Sequence, residues 1–515
     1  MGLSVSRIRN FIRPWQDFCA IGPAMNSLLR AAWAALLGSA ACFAMRSSHG
    51  GGQTTFAGSR RADPQAVALP PGYRIEAVAV GLNFPTGVAF DARGRPYVTE
   101  SGYSYGEAWT TPRLLRVEPT GVLTPIATGK AGEGEGAPWN GLAYLDGAFY
   151  VAAAGYRDGG RIVRITMDGT ITTVVGGLPS HGDHHTNGPV FGPDGALYFG
   201  QGTATNSAVV GEDNFAFGWL QRHRAFHDVS CADVTLTGRN YTTANPLTAT
   251  ADDKVTTGAY QPFGTPSQPG QVVRGQVPCG GAVFRVAPQG GTPELVAWGF
   301  RNPFGLAFAP DGQLYTTENS FDVRGSRPVF GTGDVLWKVE RGRWYGWPDY
   351  HAGRALTDTQ WYKPRGEPAP GFVLASHPGV PPKPTAVLGV HSSSNGFDFS
   401  RSAAFGHAGD AFIAQFGDMA PDVGKVLSPV GFKVVRVDVR TGVIEDFATN
   451  RGKTNGPASR LGSAGLERPI AARFDPSGTA LYVVDFGVMT MGPHPKPAFG
   501  TGVLWRITRT GSGAP

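Results

Sequence analysis

The sequence predicts an all-β protein, a six-bladed β-propeller with inserted loops, and two recurring patterns carry that expectation. The first spans 86–100, 140–154, 187–201, 304–318, 395–416 and 470–486. In its best copies it reads Gly-apolar-Ala-Phe/Tyr, a short Asp/Gly turn, then an apolar run. That is two antiparallel strands joined by a tight turn. The second pattern follows each copy: an apolar strand with a basic residue before its end, at 114–119, 162–167, 283–288, 335–340, 434–439 and 503–508. Alternation at period two marks these as strands. Each module then holds roughly four short strands, the content of a propeller blade. A unit this short cannot bury both faces alone, so repetition means a stacked or radial array. Solenoid repeats are shorter and more even, and a sandwich needs no six similar hairpins.

The elements follow in order. The apolar run from Ala31 to Met45, preceded by Arg30, has the pattern of a secretory leader, assigned here to 1–45. Met1 and Met25 both stand as starts, since 25–30 also makes an ordinary n-region. A lipoprotein carrying its lipid on Cys42 is the alternative, and Ser39 at the third position before it argues against that. The run is short for a membrane span. A Gly/Ser-rich span, 46–68, reads as a disordered linker. The propeller is expected over 69–510, with its largest insertion at about 205–280. Cys19 and Cys42 fall in the leader, which leaves Cys231 and Cys279 to bracket that insertion, and export would permit a disulfide between them. The leader gives a periplasmic or secreted location. Gly 74 and Pro 41 suit a turn-rich β fold, while 16% charged residues, a net charge of +6 and no basic tract argue against nucleic-acid binding.

Four polar clusters stand next to the repeats. The segment 181–187 places His181, His184 and His185 around Asp183 before the third repeat. A histidine there can act as general base, with Asp183 orienting it or binding a cation. Trp298-Gly-Phe-Arg-Asn-Pro leads into the fourth repeat, and the forked cation of Arg301 beside Asn302 suits a carboxylate or an anionic oxygen. Glu318 and Asp334 offer the hard oxygen ligands that calcium prefers. His391 leads into the fifth repeat. Equivalent positions on successive blades converge on one face around the axis, so these clusters are expected to form one pocket.

The clusters resemble the glucose/sorbosone dehydrogenase family, soluble sugar dehydrogenases that use pyrroloquinoline quinone (PQQ) on six-bladed propellers. The resemblance covers roughly 69–508. It rests on Asp183-His184 before Gly192-Pro193-Asp194-Gly195, on Arg301-Asn302-Pro303-x-Gly305-Leu306, and on Asp334 followed by Tyr345-Gly346-Trp347-Pro348. It implies that His184 is the base that takes a proton from a sugar hydroxyl while hydride goes to the quinone. It implies cofactor contacts from Arg301, Asn302, Asn140, His391 and Lys433, and calcium near Asp334 and Glu318. The partners implied are a sugar, polyol or sugar aldehyde and an external electron acceptor. The sequence departs from the glucose-oxidising pattern at Trp139, where a glutamine is expected. It departs again at Val430 and Phe432, where two arginines are expected and Lys425 and Lys433 are the nearby cations. Two other functions remain open: a metal-dependent propeller lactonase using the same His/Asp cluster, and a non-catalytic propeller that binds glycans or proteins.

Overall fold

The computed structural model describes residues 55–100, 111–129, 138–153, 159–250, 252–362, 370–419, 429–491 and 495–511. Cys19, Met25, Cys42 and Lys425, with the whole leader, lie outside them. Among the described residues no helix is long and apolar enough to cross a membrane.

Within the unit 44–515, six antiparallel sheets surround one axis. Their inner strands are Pro85–Phe90, Trp139–Leu145, Thr186–Phe191, Pro303–Phe308, Ser394–Phe399 and Pro469–Phe474. Each packs beside the next, and the last packs beside the first, so the ring is closed. We number the blades I to VI by these strands. The six repeats are the two inner strands of the six blades, and the second pattern is the third strand of each.

The alternation seen in sequence has a specific purpose. In blade II Phe149 faces blade I, beside Tyr97 and Leu114, while its neighbour Tyr150 faces blade III, beside Phe199 and Phe284. In blade VI Leu481 packs with Phe412 and Phe447 of blade V, and Tyr482 packs with Phe90 of blade I. Successive side chains point to opposite faces of a strand. Both faces of every blade are covered, so the strands read as nearly continuous apolar runs. The core is therefore six layers between blades rather than one centre.

Glycine permits the crowding at the axis. A methyl group on Gly141, at φ +73°, would lie 1.6 Å from the carbonyl oxygen of Gly188 in the next inner strand. Only a residue without Cβ tolerates both that approach and that backbone.

The N-terminal segment closes the ring. Tyr73–Leu82 is the outermost strand of blade VI, with Ile75 opposite Ile507. The expected linker at 46–68 differs from Thr55 onward, because there the chain is seated on the propeller. Val67–Ala68 adds a fifth strand to blade V, and Asp63 caps the turn Pro64–Ala66. The guanidinium of Arg60 is buried. It donates to Asp485 at 2.5 Å and to the carbonyls of Gly465 and Thr501. Polar composition suggested disorder, but a buried acid supplies the partner that holds this segment in place.

The largest insertion falls between the second and third strands of blade III, and Cys231 and Cys279 are bonded across it. It carries two short helices, Glu212–Ala216 and Trp219–Arg222. It shares a core with an excursion of blade IV, where Leu236 and Tyr260 pack with Trp347 and Leu374.

Burial lifts the carboxyl of Glu467 to about 7, with Arg60 pulling it down and Asp485 adding to the rise. A raised carboxyl favours folding while protonated, so its contribution is lost as pH rises from about 4 towards 7. Replacing Arg60 with Met removes the opposing cation and leaves Asp485 buried without it. The expected loss is about 3–5 kcal/mol, larger at pH 8 than at pH 5, and denaturant midpoints at the two pH values measure it.

Candidate active site

Inner strands begin, and second strands end, on the same face of the propeller, here called the front face. The insertion of blade III and the loop 319–332 of blade IV both leave from it.

His184 lies just before the inner strand of blade III and is buried. Its Nδ1 sits 3.0 Å from the carbonyl oxygen of Thr203 and 3.2 Å from the Thr203 hydroxyl. A carbonyl can only accept, so Nδ1 carries the hydrogen and Nε2 carries the lone pair. Nε2 has no hydrogen-bond partner among the described residues. Burial, then the charges of Arg301 and Arg324, hold the ring well below the usual histidine range. It is neutral at pH 7, as a proton acceptor must be.

Asp183 does not orient this ring. Its Oδ1 accepts from Asn214 at 2.8 Å and its Oδ2 pairs with Arg324 at 2.7 Å. The two neighbours have separate partners: His184 meets Thr203, while Asp183 meets Asn214 of the insertion and Arg324 of blade IV. Burial lifts Asp183 to about 6, against the pull of Arg324. Its place is structural: it ties the helix Glu212–Ala216 to the propeller.

Arg301 and Asn302 are both buried beside His184. A side chain at Gly202 would strike His184 Cβ at 2.2 Å and Asn302 Oδ1 at 3.0 Å, which puts the two residues on either side of that glycine. The Arg301 guanidinium donates from Nε to Asn206, from Nη1 to the Asn319 carbonyl at 3.2 Å, and from Nη2 to Asp322 at 2.7 Å. Three of its five N–H groups are thereby used.

Asn302 belongs to a chain of amides. Asn140 donates to Asn187 at 2.6 Å, Asn187 to Asn302 at 2.8 Å, Asn302 to Asn319 at 3.0 Å, and Asn319 to the carbonyl of Ser394 at 3.0 Å. The chain crosses blades II to V. Trp139, beside Asn140, is packed between blades I and II with Tyr97 and Phe149. It is a core residue, which explains why no polar group stands there.

Asp322 pairs with Arg301, with Arg324 at 3.0 Å and with His391 Nδ1 at 3.6 Å. Although burial raises its carboxyl, the two arginines outweigh burial and hold it well below the usual carboxylate range. Arg324 also reaches Asp213 at 2.5 Å. His391, its side chain 7% exposed, stands at φ +59°, and Ser393 two residues on is at φ +47°. Such backbone is strained for residues with a Cβ and concentrates at functional sites.

Glu318 and Asp334 are engaged as hydrogen-bond acceptors rather than turned towards each other as metal ligands. Glu318 Oε1 accepts the N–H of Arg301 at 2.5 Å and Oε2 accepts the indole of Trp337 at 2.5 Å. Asp334 accepts from Ser320 N at 3.1 Å, from the Ser392 hydroxyl at 2.9 Å and from Ser394 N at 2.6 Å. Their oxygens are turned to N–H and O–H donors. Among the described residues no three acidic, histidine or cysteine side chains are grouped to hold a metal. The repeat explains Glu318. In blade VI, Asp485 accepts the N–H of Arg468 at 2.9 Å and the indole of Trp505 at 3.2 Å in the same way. An acid at the end of the second strand latches the chain entering the inner strand.

Lys433 is not in the site either. Its ammonium pairs with Asp446 on the outer strand of blade V at 2.5 Å, directed away from the axis. Sequence reading missed Asn187, Asn319, Asp322 and Arg324. Asn187 opens its repeat as Asn140 and Asn395 do, so register could have found it. Asp322 and Arg324 lie in a loop with no pattern.

Residues 265–414 match the family described as Glucose / Sorbosone dehydrogenase. The match takes in Arg301, Asn302, Glu318, Asp334 and His391, and ends before Lys433. No curated protein sequence matches the chain. Among solved structures, the PQQ domain of pyranose dehydrogenase from Coprinopsis cinerea has a TM-score of 0.50 at 16% identity, covering 89% of this chain and 100% of its own. A Trichoderma reesei enzyme of Carbohydrate-Active Enzymes Family AA12 has a TM-score of 0.50 at 16% identity, covering 88% and 100%. An aldose sugar dehydrogenase from Streptomyces coelicolor, in its PQQ-bound form, gives 0.48 at 18% identity, covering 86% and 99%. At these identities the likeness is one of fold.

If Glu318 is a latch, Glu318→Ala strands the Arg301 N–H and the Trp337 indole. Each stranded donor costs about 1–3 kcal/mol. The drop in melting temperature is expected to be the same with and without added calcium, and scanning calorimetry in calcium and in chelator reads the difference.

Proposed function

We propose that the protein is an exported PQQ-dependent dehydrogenase that oxidises a sugar, polyol or sugar aldehyde and passes the electrons to an external acceptor. The observation that carries the reading is His184: a buried, neutral imidazole whose Nδ1 is held by Thr203 and whose Nε2 keeps its lone pair, beside a segment that matches a sugar dehydrogenase family. The Cys231–Cys279 bond supports export, since disulfides persist in oxidising compartments.

The residues fit a polar, anionic ring system. His391 Nε2 and Asn395 Oδ1 are buried without hydrogen-bond partners among the described residues, and a buried polar atom left unpaired calls for a ligand or water. Arg301 keeps one N–H on each Nη, and Asn302 keeps one on Nδ2. These four residues would hold the quinone, which supplies a two-electron acceptor when bound. The protein supplies the rest. His184 Nε2 accepts the proton of the substrate hydroxyl, and Thr203 fixes the tautomer that allows it. The guanidinium of Arg301 stabilises negative charge that develops beside it. The amide chain from Asn140 to Ser394 keeps Asn302 from rotating.

Purified protein with added PQQ is expected to show a shifted quinone absorbance and dye-linked oxidation of some member of an aldose and polyol panel. His184→Ala should leave the absorbance shift and the melting temperature in place and lower kcat about 10²–10⁴-fold. Because the ring is held below the usual histidine range, the acid limb of kcat/KM assigned to it should lie below pH 6.5. Full turnover in the variant would remove His184 as the base.

A further inference from the structure

The oxidation leaves a question that one histidine does not answer. Removing hydride and a proton from a CH–OH group sends the proton to His184 and the hydride to the bound acceptor, which becomes more negative by one charge. A proton must reach that charge, and a base that has just been protonated by the substrate is poorly placed to supply it.

We propose that His391 is a second acid–base group of the same site, oriented by Asp322, which donates a proton where His184 accepts one. The inference rests on the functional reading above and deepens it.

The geometry carries it. His184 and His391 flank one ion pair, Arg301–Asp322, but their Nδ1 atoms face different partners. The Nδ1 of His184 meets a neutral carbonyl at 3.0 Å, and that of His391 meets the Asp322 carboxylate at 3.6 Å. A carboxylate beside Nδ1 stabilises the imidazolium, as a carbonyl does far less. His391 Nε2 is buried and has no partner among the described residues. In the imidazolium this atom is a donor, and a buried donor without an acceptor is costly. An acceptor delivered with the ligand resolves that cost. The strained backbone at His391 and Ser393 shows that the surrounding structure holds the ring in place against a local penalty.

The charges around the ring agree. Burial acts to lower its pKa, but Asp322, Asp418 and Asp334 outweigh burial and raise it above the ordinary value. Arg301 and Arg324 stand on the far side of Asp322 and are paired with it. The two histidines are therefore set in opposite directions, the pattern that separates an acid from a base in one site.

The step balances. The substrate loses one hydride from carbon and one proton from oxygen. His184 Nε2 gains the proton, and the acceptor gains the hydride and the Nε2 proton of His391. The substrate becomes a carbonyl compound and the acceptor is reduced by two electrons. The histidines return to their starting states when His184 releases a proton to solvent and His391 takes one up.

The test has two arms. In the ligand-free wild type, NMR of ¹³C-labelled histidine, assigned with His391→Gln and His184→Ala, should show His391 titrating above the ordinary histidine value and His184 well below it. A His391 that titrates at or below the ordinary value overturns the inference whatever the enzyme does. In the PQQ-loaded enzyme, kcat should fall as pH rises through the His391 titration. His391→Gln should lower kcat about 10²-fold, leave KM within about threefold, and abolish that alkaline limb. Absorbance titration should show PQQ still binding the variant. A variant that keeps kcat and the limb sinks the inference alone, as does one that loses only PQQ affinity. A wild type that binds no PQQ sinks the functional reading and the inference with it.

Discussion

The site depends on one carboxylate. Asp322 receives Arg301 and Arg324, faces His391, and donates its own N–H to Asn206 at 2.9 Å. Each neighbour belongs to a different part of the molecule. Arg301 leads into blade IV, His391 leads into blade V, and Asn206 opens the blade III insertion. Charges buried without partners are expensive, and charges that share a partner make their positions interdependent. Moving Asp322 would release the guanidinium beside the base and the second histidine together. The same carboxylate keeps Arg324 in reach of Asp183 and Asp213, so the insertion is held by the charges that hold the site.

The fold was legible because the ring repeats one solution six times. Each pair of inner strands carries the same turn and the same alternation, and both faces of each blade are covered by the same kind of neighbour. The polar lead-ins were legible for the same reason: position in the repeat told which face His184, Arg301, Asn302 and His391 would share. Where reading went wrong, a residue had been given a chemical part that the repeat had already given a structural one. Glu318 looked like a metal ligand in isolation, yet Asp485 at the same register in blade VI latches the same backbone and the same tryptophan. Trp139 looked like a lost cofactor contact, while its alternation with Asn140 places it between blades.

Residues outside the repeat were another matter. Asp183 sits next to the base, and sequence adjacency suggested a pair. The partners that claim Asp183 come from 31 and 141 residues away. Nothing local marks Asn214 or Arg324 as those partners. Arg60 was missed for the same reason: its acid, Asp485, lies 425 residues further on. Non-local pairing of single charges leaves no period in a sequence.

This division has a consequence for how such a site can vary. The amide chain, Arg301 and His391 stand on the propeller or its lead-ins, where the repeat dictates the backbone. The atom that fixes the tautomer of His184 is the carbonyl of Thr203, at the start of the insertion, and the opposite end of that insertion returns through Cys279 to the third strand of blade III. The base therefore takes its chemical state from the insertion and its position from the lead-in to a propeller strand. Loops of this kind can be rebuilt around a new substrate while the propeller keeps the polar ring. The condition is that the first residues after Gln201 keep an acceptor facing Nδ1, because without it the lone pair at Nε2 is no longer assured.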